Sequence, residues 1–309
     1  MKHLLGLSDV SAAEIEQILD LAAEMKTRIK GDNKKDSRLV GKSMVNLFYE
    51  NSTRTRLSFE LAGKYLGADV ANIAASSSSV SKGESLIDTA KTIDAMQADV
   101  IVMRHQNSGA AKIVSENVAA SVINAGDGMN EHPTQALLDM FTILESKGRI
   151  EGLKVAIVGD VAHSRVARSN IYGLTKMGAN VSLAAPETLI PQGIEKLAQS
   201  SGSCAVYTDI EEAISGADVV MALRIQQERL KSALFPSLGE YAKCFGINDD
   251  RLKLAKSDAI LLHPGPVNRG VELTTSVADG AQSLINEQVT NGVAVRMAVL
   301  ELCALRART

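Results

Sequence analysis

The stretch Glu50-Asn51-Ser52-Thr53-Arg54-Thr55-Arg56 gathers hydroxyls and guanidiniums into one short segment. The run before it, Met44-Val45-Asn46-Leu47-Phe48-Tyr49, reads as a buried strand. After it, Leu57, Leu61 and Tyr65 recur at helical spacing toward Gly67. Ser52 to Thr55 therefore fall where a strand ends and a helix begins. At such a point, open backbone N–H groups and the positive end of the helix dipole face outward. Hydroxyl donors and a bidentate cation added there suit a small phosphate-bearing ligand. An ordinary N-cap followed by solvated surface arginines would have the same composition. No G-x-x-x-x-G-K-[ST] loop is present, which argues against ATP or GTP.

Other strand ends carry comparable chemistry. Asp99 to Met103 reads as a strand that delivers Arg104 and His105 at its C-terminal edge, where open α/β sheets bind ligands. Ser121 to Gly126 reads as a further strand leading toward His132-Pro133-Thr134-Gln135. Pro133 suits the first position of a helix, so His132 becomes its cap and Gln135 lies in its first turn. Neither has Cys or carboxylate neighbours at metal-ligand spacing, and no metal is expected. The stretch Ser76 to Ser85 is small, polar and without periodicity, and it precedes a helix marked by Leu86, Ala90 and Ile93. On composition alone it reads as a linker, with a mobile lid carrying Lys82 as the competing reading.

The elements that must position these groups point to an α/β protein, two doubly wound parallel-sheet domains with the active site between them. At 309 residues the chain can bury two cores. Ser11 and Glu14 form a capping box for a first helix with Ile15, Ile18, Ala22, Met25 and Ile29 on one face. Lys147 to Lys154 reads as a domain junction. Beyond it, strands near Asn180–Ala184, Cys204–Tyr207, Asp218–Leu223 and Asp258–Leu262 alternate with helices. The turn Gly159 to Arg165 lacks G-x-G-x-x-G, which disfavours an NAD-linked oxidoreductase. Arg165 at its end and the segment Arg224-Ile225-Gln226-Gln227-Glu228-Arg229 look available for carboxylates, although exposed helix starts are equally charged. His263-Pro264-Gly265-Pro266 makes a rigid loop that offers carbonyls but few N–H groups. A last helix presents Val289, Val293, Met297 and Leu300 on one side. The expected division is 1–149 plus 287–309 and 150–286.

A net charge of −3 gives no bulk attraction to nucleic acid or acidic lipid. The first residues are too soon interrupted by Ser8 and Asp9 to read as a signal peptide, and no apolar run reaches the length of a membrane span. Cys204, Cys244 and Cys303 form no C-x-x-C pair and read as small core residues, consistent with a reducing, cytoplasmic setting.

Taken together, Ser52-Thr53-Arg54-Thr55-Arg56, Val102-Met103-Arg104-His105, His132-Pro133-Thr134-Gln135, Arg224-x-Gln226-x-x-Arg229 and His263-Pro264-Gly265-Pro266 resemble the aspartate/ornithine carbamoyltransferase family in order and spacing. The resemblance covers essentially the whole chain. Ornithine-using members carry D-x-W-x-S-M and H-C-L-P segments. This chain has no Trp, and its loop has no Cys. Two guanidiniums suit the two carboxylates of aspartate and would repel the extra cation of ornithine. The resemblance therefore implies transfer of the carbamoyl group of carbamoyl phosphate to L-aspartate in pyrimidine biosynthesis. It makes the first domain the carbamoyl-phosphate domain and the second the aspartate domain. Another amino acid as acceptor, such as ornithine or an acylated derivative, and a catalytically inactive binding subunit are the alternatives.

The roles implied are these. Ser52, Thr53, Arg54 and Thr55 hold the phosphate, with Ser78 and Lys82 reaching in from a neighbouring chain, which reverses the linker reading of the serine stretch. Arg104, His132 and Thr55 polarise the carbonyl. Gln135 and the carbonyls of Pro264 and Gly265 bind the carbamoyl amino group. Arg165, Arg224, Gln226 and Lys82 hold aspartate. Many members carry a bulkier residue than Gly265. No cofactor is implied. The implied assembly is a homotrimer with shared sites, which in some members joins regulatory or dihydroorotase-like chains.

Overall fold

Near-continuous apolar runs bounded by capped helices build two parallel sheets. The computed structural model describes residues 1–74, 83–225 and 237–307. The chain divides into two compact units, Met1–Leu138 with Thr290–Thr309 and Asp139–Val289.

In the first unit, helix α1 (Ala12–Lys30) starts at Ser11 with both halves of the capping box formed. Then follow β1 (Ser43–Phe48), α2 (Thr53–Tyr65), β2 (Asp69–Ala74), α3 (Leu86–Ala95), β3 (Val100–His105), α4 (Ala110–Ser115) and β4 (Ser121–Asp127). The four strands are parallel in the order β2-β1-β3-β4. From β1 the chain goes out to β2 and returns on the other side to β3. The order thus reverses between β1 and β3, and a crevice opens at such a reversal beyond the strands' carboxyl ends. Leu47, Ile93, Ile101 and Ala120 form one apolar layer, while Met103, Ala90, Val114 and Val122 form another. Each large aliphatic buried this way is worth about 1.5–3 kcal/mol. Helix α5 (Pro133–Lys147) carries the chain into the second unit.

There β5 (Lys154–Val158), α6 (Arg165–Lys176), β6 (Asn180–Ala184), β7 (Ser203–Tyr207), α7 (Ile210–Ile214) and β8 (Val219–Ala222) come first. They precede α8 (Leu238–Phe245), α9 (Asp249–Leu252), β9 (Ile260–Leu262) and α10 (Thr275–Ala278). The strand order is β7-β6-β5-β8-β9, all parallel, and here the reversal lies between β5 and β8. Val158, Ile210, Ile214, Val220, Leu261 and Val277 belong to one core cluster. Helix α11 (Ile285–Ala304) leads back into the first unit.

Three expectations are corrected. On α2 the packed residues are Phe59, Ala62 and Gly63, whereas Leu57 is 50% exposed. The close approach of Met44 and Val70 to Gly63 turns that side of the helix onto the sheet. Val289 is 56% exposed, and the burial of α11 instead envelops Ala294 to Leu300 on all sides. Of the three thiols only Cys303 is buried. Cys204 is intermediate and Cys244 exposed, because β7 is the sheet's edge strand and α8 turns its cysteine outward.

Candidate active site

At the first reversal, Ser52 takes an extended conformation that ends the strand segment and caps α2. Its hydroxyl accepts the Thr55 N–H at 3.4 Å and lies 2.9 Å from Thr55 Oγ1. Thr55 is buried, while Thr53 and Arg54 stand exposed in the first turn, where side chains meet a ligand at a helix N-terminus. Arg104 is the register partner of Phe48, and its carbonyl accepts the Tyr49 N–H at 2.8 Å. Its guanidinium donates to Glu50 Oε1 at 2.5 Å and to the Ala125 carbonyl at 3.3 Å. One side chain thereby braces the ends of β1, β3 and β4.

His105, next to it, is buried. Its Nδ1 accepts the Asn107 N–H at 2.9 Å, and its ring meets Tyr49 with centroids 4.9 Å apart. Burial lowers its pKa, against the pull of Asp127 and Glu50. Beyond β4, Asp127 pairs with Glu131 and gathers N–H groups from Gly109, Asn124, Asn130 and Glu131. That turn delivers His132, whose carbonyl accepts the Gln135 N–H at 3.0 Å, so the chain enters α5 as Pro133 demands. His132 and Gln135 are both buried.

At the second reversal, Gly159 ends β5 at φ +131°, and a Cβ there would stand 3.0 Å from Leu223 Cβ. The glycine lets the ends of β5 and β8 close up, with Leu223 N–H donating to the Val158 carbonyl at 2.7 Å. Ser164 caps α6, and Arg165 is its first residue, buried at the strand's mouth. Arg224 follows β8 and is half-buried. Each reversal thus carries arginine on both of its flanks: Arg54 and Arg104 in one unit, Arg165 and Arg224 in the other.

After β9, Gly265 N–H donates to His263 Nδ1 at 2.8 Å, and Gly265 sits at φ +63°. This left-handed backbone suits glycine, which has no Cβ to oppose it. Ser78, Lys82, Gln226 and Arg229 lie outside the described residues.

Two carboxylates matter more than their sequence context suggested. Glu50, which directly follows the first apolar run and has no role assignable from its neighbours, is the partner of Arg104. Glu272 had no local signal, since it stands between Val271 and Leu273 in an unpatterned stretch. Buried, it accepts N–H groups from Ile225 at 2.9 Å, from Asn268 backbone at 2.9 Å and from Asn268 Nδ2 at 2.7 Å. It ties the segment after β8 to the loop after β9. Burial raises its pKa, against those hydrogen bonds. Among the described residues no cluster of His, Cys, Asp and Glu could hold a metal ion, and no helix is long and apolar enough to cross a membrane.

Two family models match in tandem. The aspartate/ornithine carbamoyltransferase carbamoyl-P binding domain matches residues 2–145, and the Asp/Orn binding domain of the same family matches residues 151–303. The chain is 66% identical over 305 residues to the aspartate carbamoyltransferase catalytic subunit of Ruminiclostridium cellulolyticum, covering 99% of this chain and 96% of that protein. It is 64% identical to the one from Acetivibrio thermocellus, with the same coverage. Among solved structures, Trypanosoma cruzi aspartate transcarbamoylase in complex with N-(phosphonacetyl)-L-aspartic acid superposes with a TM-score of 0.89 at 33% identity, covering 97% of this chain and 95% of that one. Ornithine carbamoyltransferase from Pyrococcus furiosus superposes with 0.87 at 33% identity, covering 97% and 96%.

Proposed function

Because this chain belongs to the aspartate/ornithine carbamoyltransferase family, we propose that it transfers the carbamoyl group of carbamoyl phosphate to the amine of L-aspartate. The products are N-carbamoyl-L-aspartate and phosphate. The fold does not choose the acceptor, since aspartate and ornithine enzymes superpose on the chain almost equally well. The observation that carries the choice is the pair Arg165 and Arg224 flanking the second reversal. Two guanidiniums match the two carboxylates of aspartate and oppose an ornithine cation. The 66% identity to an aspartate carbamoyltransferase catalytic subunit supports the same reading.

In this mechanism Ser52, Thr53, Arg54 and Thr55 hold the phosphate, and Arg104 bridges phosphate and carbonyl oxygen. The amine attacks the carbamoyl carbon, and negative charge develops on that oxygen. Arg104, His132 and Thr55 receive it, each well-placed donor contributing about 3 kcal/mol. Gln135 and the carbonyls of Pro264 and Gly265 orient the carbamoyl amino group. Phosphate leaves, and one of its own oxygens accepts the amine proton. Orientation and charge stabilisation supply the rate, and the chemistry asks for neither metal nor organic cofactor.

The proposal extends to a homotrimer in which Ser78 and Lys82 complete a neighbouring copy's site, and to a cytoplasmic step of pyrimidine biosynthesis. The test is phosphate release from carbamoyl phosphate by the purified chain, with L-aspartate, with L-ornithine and with no acceptor. Release with aspartate alone is expected. Release with ornithine instead would overturn the roles given to Arg165 and Arg224.

A further inference from the structure

Within the second unit, a buried hydrogen-bond chain runs from Asp139 to the loop that offers the Pro264 and Gly265 carbonyls. Asp139 Oδ1 accepts Gln288 Nε2 at 2.7 Å, and Gln288 Oε1 accepts the His263 N–H at 2.9 Å. His263 Nδ1 in turn accepts the Gly265 N–H at 2.8 Å. The other carboxylate oxygen, Oδ2, accepts Asn170 Nδ2 at 2.9 Å. That amide also donates to the Val166 carbonyl at 3.1 Å, in the first turn of the helix begun by Arg165. Asp139, Asn170, Gln288 and His263 are all buried.

The chemistry of the ends dictates the polarity of the middle. A backbone N–H can only donate, and both oxygens of Asp139 accept here, one from Asn170 and one from Gln288. The amide of Gln288 therefore bridges them in one orientation alone, oxygen toward His263 and nitrogen toward Asp139. A flip would set donor against donor at one end and acceptor against acceptor at the other. Since the partners are out of water, either mismatch leaves polar groups unsatisfied.

We propose that Asp139 and Gln288 are positioning residues for the reaction. Through a hydrogen-bond relay of fixed polarity they hold the His263–Gly265 loop and, through Asn170, the start of α6. They touch no substrate themselves. The idea rests on the function proposed above for its kinetic consequence, though not for the relay itself. A loop displaced by about an ångström costs up to roughly 100-fold in rate when its carbonyls orient the reacting group.

The polarity makes a reciprocal test available. Gln288→Glu keeps the acceptor for His263 but sets a carboxylate against Asp139. Adding Asp139→Asn restores a donor facing Glu at 288, while the asparagine oxygen still accepts from Asn170. Two readouts are compared across wild type, Q288E and D139N/Q288E. One is amide hydrogen exchange over residues 260–270 without ligand, and the other is kcat with KM for carbamoyl phosphate and for aspartate.

Q288E is expected to exchange about tenfold faster at His263 to Gly265, and to lose about tenfold in kcat with a raised KM for carbamoyl phosphate. The double variant should recover both to within about threefold. Faster unfolding alone would leave the constants of the folded fraction unmoved. If Q288E does not fold, Gln288→Met carries the same expectation, since it fills the volume without either bond. Unchanged exchange in the single variant, or a double variant as impaired as the single one, overturns the relay. A wild-type chain that transfers nothing to aspartate would sink the functional reading instead, and the exchange data would still decide the relay.

Discussion

Replacing Arg104 by alanine separates a catalytic arginine from a structural one. The change removes the contact of 2.5 Å to Glu50 and that of 3.3 Å to the Ala125 carbonyl. Hydrogen bonds to charged groups contribute about 1.5–3 kcal/mol when sheltered. Here the Arg104 side chain is 11% exposed and Glu50 24%, so solvent reclaims part of the abandoned carboxylate. The loss in stability should be about 1–2 kcal/mol, read as a fall of a few degrees in Tm. If Arg104 also stabilises the oxyanion, kcat should fall by about 100- to 1,000-fold, equivalent to about 3–4 kcal/mol. The assay pairs a melting curve with phosphate release at saturating carbamoyl phosphate and aspartate, normalised to folded chain. Arg104→Lys keeps the charge but not the fork, and it should recover stability more than rate. A lowered Tm with kcat within about threefold of wild type would refute the oxyanion role, leaving Arg104 as a brace for three strand ends.

Arg224→Ala should raise the KM for aspartate by at least about tenfold with little change for carbamoyl phosphate, and equal loss of both would contradict the acceptor assignment. Mixing Lys82→Ala chains with His132→Ala chains and reassembling them should restore a fraction of activity, whereas no recovery would exclude shared sites. Because burial holds the pKa of His105 below its ordinary 6.5, its contribution to stability is fully present above that value and is lost as pH falls through the depressed one. Urea midpoints from about pH 7.5 down to about pH 5 should therefore drop less in His105→Gln than in wild type, and parallel curves would refute this. Gly63→Ala presses a methyl against Met44 Sδ and to 2.9 Å from Val70 Cγ2. It should cost about 1–2 kcal/mol in chemical denaturation, with kcat of the folded chain unchanged.

The strands and caps were legible because their signals are local. Apolar runs mark β1, β3 and β5, a capping box marks α1, and Pro133 marks the start of α5. The motifs at the strand ends were legible for the same reason, since hydroxyls and arginines just past an apolar run fall at a helix N-terminus whatever the rest of the chain does. Strand order is a different matter. It depends on which strands pair at a distance, and only the sheets show that Arg54 and Arg104 flank one reversal and Arg165 and Arg224 the other. Helix faces were read less well, as Leu57 and Val289 demonstrate, because a period marks a stripe but not which neighbour presses on it. Least legible were the carboxylates Glu50, Asp139 and Glu272. Their meaning comes from partners brought close by folding, including an arginine 54 residues away and an amide 149 residues away. Composition and spacing determine which groups a chain can offer at its strand ends, while hydrogen bonds between distant segments, formed only where water is excluded, decide how those groups are held.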